Sequence, residues 1–135
     1  MAGIALPGVP IWRRMAVALP GLPLAAFFGF VGWYKAFAPV SELLLHHAWT
    51  AHVPWWIGRP IGWIELAGAA ALVAGLAARA WPATRIAAAE LAASQVVAAW
   101  VHVRNDEAGA LGQNLVLFLA LGLIAFAARA AEPAH

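Results

Sequence analysis

Lys35, Glu65, Glu90, His102, Gln113 and Asn114 are the residues of this otherwise oily chain whose types and placement could do chemistry. Glu65 comes first among them. It lies in the first third of PIGWIELAGAAALVAGLAA, Pro60 to Ala78, a stretch with no other charge. Such a length of helix rises about 28 Å, close to the hydrocarbon thickness of a bilayer. A carboxylate facing lipid there costs on the order of 3 kcal/mol, so Glu65 has to face protein or a watery cavity and to have a partner. Lys35 is that partner by charge and by position. It sits near the end of one apolar run as Glu65 sits near the start of the next, at similar depth from the same surface. Two roles stand open for the pair: a structural ion pair bracing two helices, or the charged wall of a ligand or proton site.

Around this pair the sequence offers further polar groups. Lys35, His102 and Gln113 are candidate donors to the carbonyl oxygens of a bound molecule, with Trp33, Trp63 and Trp100 as candidate apolar walls near the same end. Glu90 lies deeper and would most cheaply exist as a neutral acid hydrogen-bonded to Ser94, four residues on and on the same helix face, or to another helix. His46, His47, His52 and His102 are of a type that binds zinc, copper or haem. Adjacent histidines diverge by about 100° on a helix, however, and no carboxylate-rich ligand spacing accompanies them, so no bound metal is expected. The chain has no cysteine, which removes disulfide exchange, thiolate nucleophiles, iron–sulfur clusters and Cys-based zinc sites. Redox chemistry would then need a bound cofactor or a partner. No nucleophile stands beside a base, so no catalytic residue is assigned and a self-standing hydrolase or transferase is disfavoured.

The elements that must hold these residues are read from hydropathy. The chain has 135 residues, 64% of them hydrophobic and 10% charged, with a mean hydropathy of +0.81. Those values belong to one integral membrane domain, residues 1–135, rather than to a soluble fold. The pattern predicts an all-α bundle of four transmembrane helices at about 22–37, 60–78, 83–103 and 110–128. The first either starts near Leu22 or continues backwards through a kink at Pro20 and Pro23. Ala25, Gly29, Gly32 and Ala36 form a strip on it along which another helix can approach. Between the first two spans, about 41–50 reads as a short interfacial helix capped by Ser41 and held by Trp49, Trp55 and Trp56. Residues 1 to 12, broken by Pro7 and Pro10, read as a poorly ordered or surface-lying lead. Arg13 and Arg14 precede an apolar run, but no small-x-small site with a polar sequence after it follows, so the segment is kept in the fold rather than read as a signal peptide.

Four crossings bring both termini to one side. That side holds Arg13, Arg14, Arg79, Arg85 and Arg129, against Lys35, Arg59 and Arg104 on the other. Positive-inside counting therefore places both termini in the cytoplasm and the Lys35–Glu65 end on the periplasmic side of a bacterial inner membrane. A net charge of +2 with no basic run gives nucleic acid nothing to bind.

The motifs GWYKAF, IGWIELAGAAALVAG and AAWVHVRNDE resemble those of the DoxX-like family of small bacterial membrane proteins, over about residues 24–128. Within that resemblance Lys35 matches the lysine of the first helix, Glu65 the glutamate of the second, and His102 with Glu107 the polar exit from the third. It implies a four-helix membrane protein, and an association with quinone-linked sulfur oxidation or membrane oxidoreductase complexes that some relatives have. Two expectations follow. One is a redox-associated subunit binding a quinone-like or other apolar small molecule under the interfacial helix, with Lys35, Glu65, His102, Gln113, Trp33 and Trp63 as site residues and quinone as the one cofactor candidate. The other is a non-enzymatic accessory or assembly subunit docking onto a membrane oxidoreductase or a second copy of itself.

Overall fold

The computed structural model describes residues 10–131; residues 1–9 of the predicted lead and the last four residues lie outside the described residues, while Ile11 and Trp12, expected in that lead, already belong to the first helix. The chain forms α1 (Ile11–Phe37), α2 (Val40–Leu45), α3 (Trp55–Ala78), α4 (Trp81–Arg104) and α5 (Leu111–Ala131), with 3-10 turns at Trp49–His52 and Ala108–Ala110. Among the described residues four helices, α1, α3, α4 and α5, are thus long and apolar enough to cross a membrane. No strand occurs among the described residues.

The helices run longer than the hydropathy boundaries. α1 starts at Ile11 and passes through Pro20 and Pro23, and α3 starts at Trp55 with Pro60 inside it. Backbone groups in hydrocarbon have no water to turn to, so continuing the helix and losing single N–H donors at the prolines costs less than ending it. The interfacial stretch differs more. It is a six-residue α2 followed by a separate 3-10 turn, not one helix over 41–50. Ser41 makes no cap there: the helix begins at Val40 because the Pro39 carbonyl accepts from the N–H groups of Glu42 and Leu43, both at 3.1 Å.

α2 ends where His47 turns left-handed at φ 51°, with Ala48 N–H on the Leu43 carbonyl at 2.8 Å and His47 N–H on Leu44 at 3.1 Å. This is a Schellman closure without glycine. α3 ends the same way at Arg79 (φ 55°), and α4 at Asp106 (φ 59°), where Glu107 N–H reaches the His102 carbonyl at 2.9 Å. Two of these three turns lie at the Lys35 end and set the directions of His47 and Glu107.

The four long helices form a ring in the order α1, α3, α4, α5. α1 packs most extensively on α3 and α4 on α5, whereas α1 and α5 meet sparingly. Glycine makes the first contact close. A Cβ on Gly62 would stand 2.5 Å from the Ala36 nitrogen and 2.7 Å from the Gly32 carbonyl oxygen, so backbone touches backbone. Gly29, included in the predicted small-residue strip, faces open space; the strip that packs is Gly21, Ala25, Phe28, Gly32 and Ala36. The apolar core, with Phe28, Leu72, Leu91, Leu121 and Ile124 among its buried side chains, fills the bundle between these faces.

Candidate functional site

Lys35 continues the buried stripe of α1 one turn beyond Gly32, and Glu65 stands one turn beyond Gly62 on α3, so the glycine contact brings the two side chains together. The Lys35 Nζ donates to both Glu65 oxygens, at 2.7 and 2.8 Å. Lys35 is 4% exposed and Glu65 fully buried. From α4, Ser94 Oγ donates to Glu65 Oε1 at 2.9 Å, and Gln95 Nε2 donates to Ser94 Oγ at 3.3 Å. The ammonium also stands 5.2 Å from the centre of the Trp49 ring. Arg59 closes the end of α1 by donating to the Lys35 carbonyl oxygen at 2.9 Å. Three helices and the roof thus converge on one ion pair.

Ser94 serves Glu65 and not Glu90, contrary to the expectation from their spacing. An ionised carboxylate is the stronger acceptor, and Glu65 is the one held beside the lysine. Glu90 lies one turn deeper against Gly68, and its Oε2 is buried without a hydrogen-bond partner.

A second cluster closes the same end. Glu107 Oε2 lies 2.7 Å from His102 Nδ1, while its Oε1 lies 3.3 Å from His47 Nδ1 and 3.1 Å from His52 Nε2. One carboxylate thus ties the roof at α2 and its 3-10 turn to the end of α4. Partial burial raises the Glu107 carboxyl, but the hydrogen bonds from His102, His47 and His52 outweigh it and hold the group down at about 2. Among the described residues no group of three or more His, Asp or Glu side chains is arranged to hold a metal ion; His47, His52 and His102 face Glu107, and His46 faces Glu42.

Between α1, α4, α5 and the roof lies a cavity of about 280 Å³. Phe27, Phe28 and Phe30 form its apolar part, Lys35, Gln95, His102, Gln113 and Asn114 its polar part, and His46, His47 and Trp49 its roof. Of the predicted site residues, Lys35, His102 and Gln113 line it. Glu65 stands behind Lys35 and does not reach it. Trp33 and Trp63 do not line it either: both are exposed on the outer surface, each against Phe37, at 6.0 and 5.0 Å between ring centres. Trp33 is two residues before Lys35 and Trp63 two before Glu65, and two residues turn a helix by about 200°, to the opposite face. Trp100 is exposed as well and pairs with Arg104.

Four apolar crossings around one buried Lys–Glu pair agree with a family model that matches residues 21–127, that of the DoxX-like family. The chain belongs to the DoxX-like family. Four membrane-length helices with a short helix after the first fit a small DoxX-like membrane protein. No curated protein and no solved structure matched in the corresponding comparisons.

Three parts of this DoxX-like site were not assigned to it from the sequence. Trp49 read as an interface anchor, yet it is buried in the roof. Asn114 follows the exposed Gln113 but is itself buried, and its spacing to Leu121, Ile124 and Ala128 was the available signal that it faces inward. Glu107 was placed in a turn, where nothing local announces that three histidines meet on it.

Proposed function

We propose that this DoxX-like protein is a redox-associated membrane subunit that holds a quinone-like or other apolar small molecule at the Lys35 end of its bundle. The cavity carries this reading. It joins an aromatic part, suited to a flat apolar ring, to a polar part where Lys35, His102 and Gln113 stand together. The sparse α1–α5 seam gives a molecule dissolved in lipid a lateral way in. The redox association rests on the family resemblance alone. The Lys35 end is assigned to the periplasmic face of a bacterial inner membrane, with both termini cytoplasmic, on the distribution of arginines.

The test is binding of a short-chain quinone analogue to the protein in lipid nanodiscs. His102→Ala and Lys35→Met are expected to weaken it by about 1 to 3 kcal/mol each, the loss when a buried hydrogen bond goes unmade. A wild type that binds no analogue, or variants that bind it equally well, would end this reading. The accessory-subunit reading would then take its place. One observation favours it: Gly112 and Gly122 of α5 each have open space beside them, where a partner helix can approach closely.

A further inference from the structure

Among the described residues, five buried side-chain polar atoms lack a hydrogen-bond partner, and two of them, Trp49 Nε1 and Asn114 Nδ2, belong to residues that line the cavity. Trp49 is 4% and Asn114 7% exposed, so bulk water does not serve either group. Both atoms are N–H donors, and neither carries charge. A buried donor left unpaired is costly, and an acceptor atom that reaches it from the cavity recovers that cost.

The charged groups tell the other half. Every cationic or imidazole side chain lining the cavity already faces a carboxylate: Lys35 faces Glu65, His102 and His47 face Glu107, and His46 faces Glu42 at 3.9 Å. Tyr34 likewise spends its hydroxyl on Glu42, at 3.2 Å. Arg59 is occupied with the Lys35 carbonyl and does not line the cavity. An anion entering this space would shed its water and find the one lysine of the lining already paired with a carboxylate, a balance that disfavours binding.

Building on the cavity as a ligand site, we infer that its occupant has a neutral hydrogen-bond-acceptor head, a ketone, quinone or ester carbonyl, received by the indole N–H of Trp49 and the amide N–H of Asn114. Carboxylates, sulfonates and phosphates are disfavoured. Lys35 then acts on the ligand as part of a neutral pair rather than as a free cation. Trp49 and Asn114 are the residues that set head-group specificity.

The experiment is equilibrium binding to the full chain in phosphatidylcholine nanodiscs, using radiolabelled compounds that share one tail: an alkyl sulfonate, the methyl ester, the methyl ketone and the plain alkane. The wild type is expected to bind ketone and ester at least about tenfold more tightly than the sulfonate. Trp49→Phe keeps the ring and removes the N–H; Asn114→Leu keeps the branched shape and removes the amide. Each is expected to weaken ketone binding about tenfold while leaving alkane binding unchanged. The alkane arm reports that a variant is folded, and the wild-type comparison of ketone with sulfonate decides the matter without any variant. Sulfonate bound as tightly as ketone overturns the inference and leaves the cavity as a ligand site. Ketone binding untouched in both folded variants overturns it too. Failure of every compound, alkane included, overturns the ligand site itself and this inference with it.

Discussion

Replacing Lys35 by methionine leaves Glu65 with a single donor, Ser94 at 2.9 Å, and no counter-charge at a position without exposure. Removing one member of a buried pair costs about 3 to 5 kcal/mol, because the survivor stays desolvated and uncompensated. Glu65→Gln leaves the ammonium of Lys35, itself 4% exposed, in the same position and should cost a similar amount. The double variant strands nothing: methionine fills the space of the lysine stem, and glutamine keeps an oxygen for Ser94. Its cost should fall to about 1 to 3 kcal/mol, giving a coupling of roughly 3 kcal/mol or more between the two sites. The Gly32–Gly62 contact is common to all four proteins, so the cycle isolates the side-chain pair from the helix packing beneath it. The assay is reversible unfolding in mixed micelles as the denaturing detergent fraction is raised. Additive losses would mean that the two groups do not depend on each other, and the reading of Glu65 as a charge held by Lys35 would be wrong.

Glycine substitutions should separate the two kinds of glycine in the bundle: Gly62→Ala drives a methyl to within 2.5 Å of the Ala36 nitrogen and should lower unfolding stability clearly, whereas Gly29→Ala meets open space and should be neutral or stabilising by up to about 1 kcal/mol. Equal effects in the same unfolding assay would contradict the close α1–α3 packing. The roof should loosen in acid. Glu107 is held down at about 2 against an ordinary 4.5, so its contribution is fully present above about 4.5 and is lost as pH falls from there towards 2. Hydrogen exchange at residues 46–52 should rise over that range in the wild type, and Glu107→Gln should show the raised exchange already at neutral pH. A reporter enzyme fused after His135 should be active only in the cytoplasm; periplasmic activity would reverse the assigned orientation.

The ion pair was legible in the sequence because a membrane interior allows an intramembrane charge few fates, and Lys35 was the one opposite charge at matching depth. Residues near the pair in sequence were not so easily placed. Trp33 and Trp63 are neighbours of Lys35 and Glu65 along the chain and lie across the helix from them, because in hydrocarbon an apolar residue is content on either face and leaves no moment to read. The small-residue strip suffered in the same way: Gly29 looks like Gly32, and only the path of α3 decides which of them is covered. Ser94 was read as sharing a helix face with Glu90, but which carboxylate it serves depends on where Lys35 pins Glu65. The roof was least legible, since its shape depends on His47 and Asp106 turning left-handed where glycine would be the expected residue, and on Glu107 gathering histidines from three separate segments.

A ring of helices that is tight at α1–α3 and α4–α5, looser at α3–α4 and sparsest at α1–α5 has the build of a clip. α1 and α3 make one arm, α4 and α5 the other, and the α3–α4 contact is the spring. The Lys35–Glu65 bond lies within the first arm, and its link to Ser94 crosses close to the spring, so spreading the arms leaves the charges together. The cavity lies between the tips, on the side where the arms are least joined. On the proposed function, a cross-link bridging α1 and α5 should bar a quinone analogue from the cavity while leaving the stability of the ion pair unchanged.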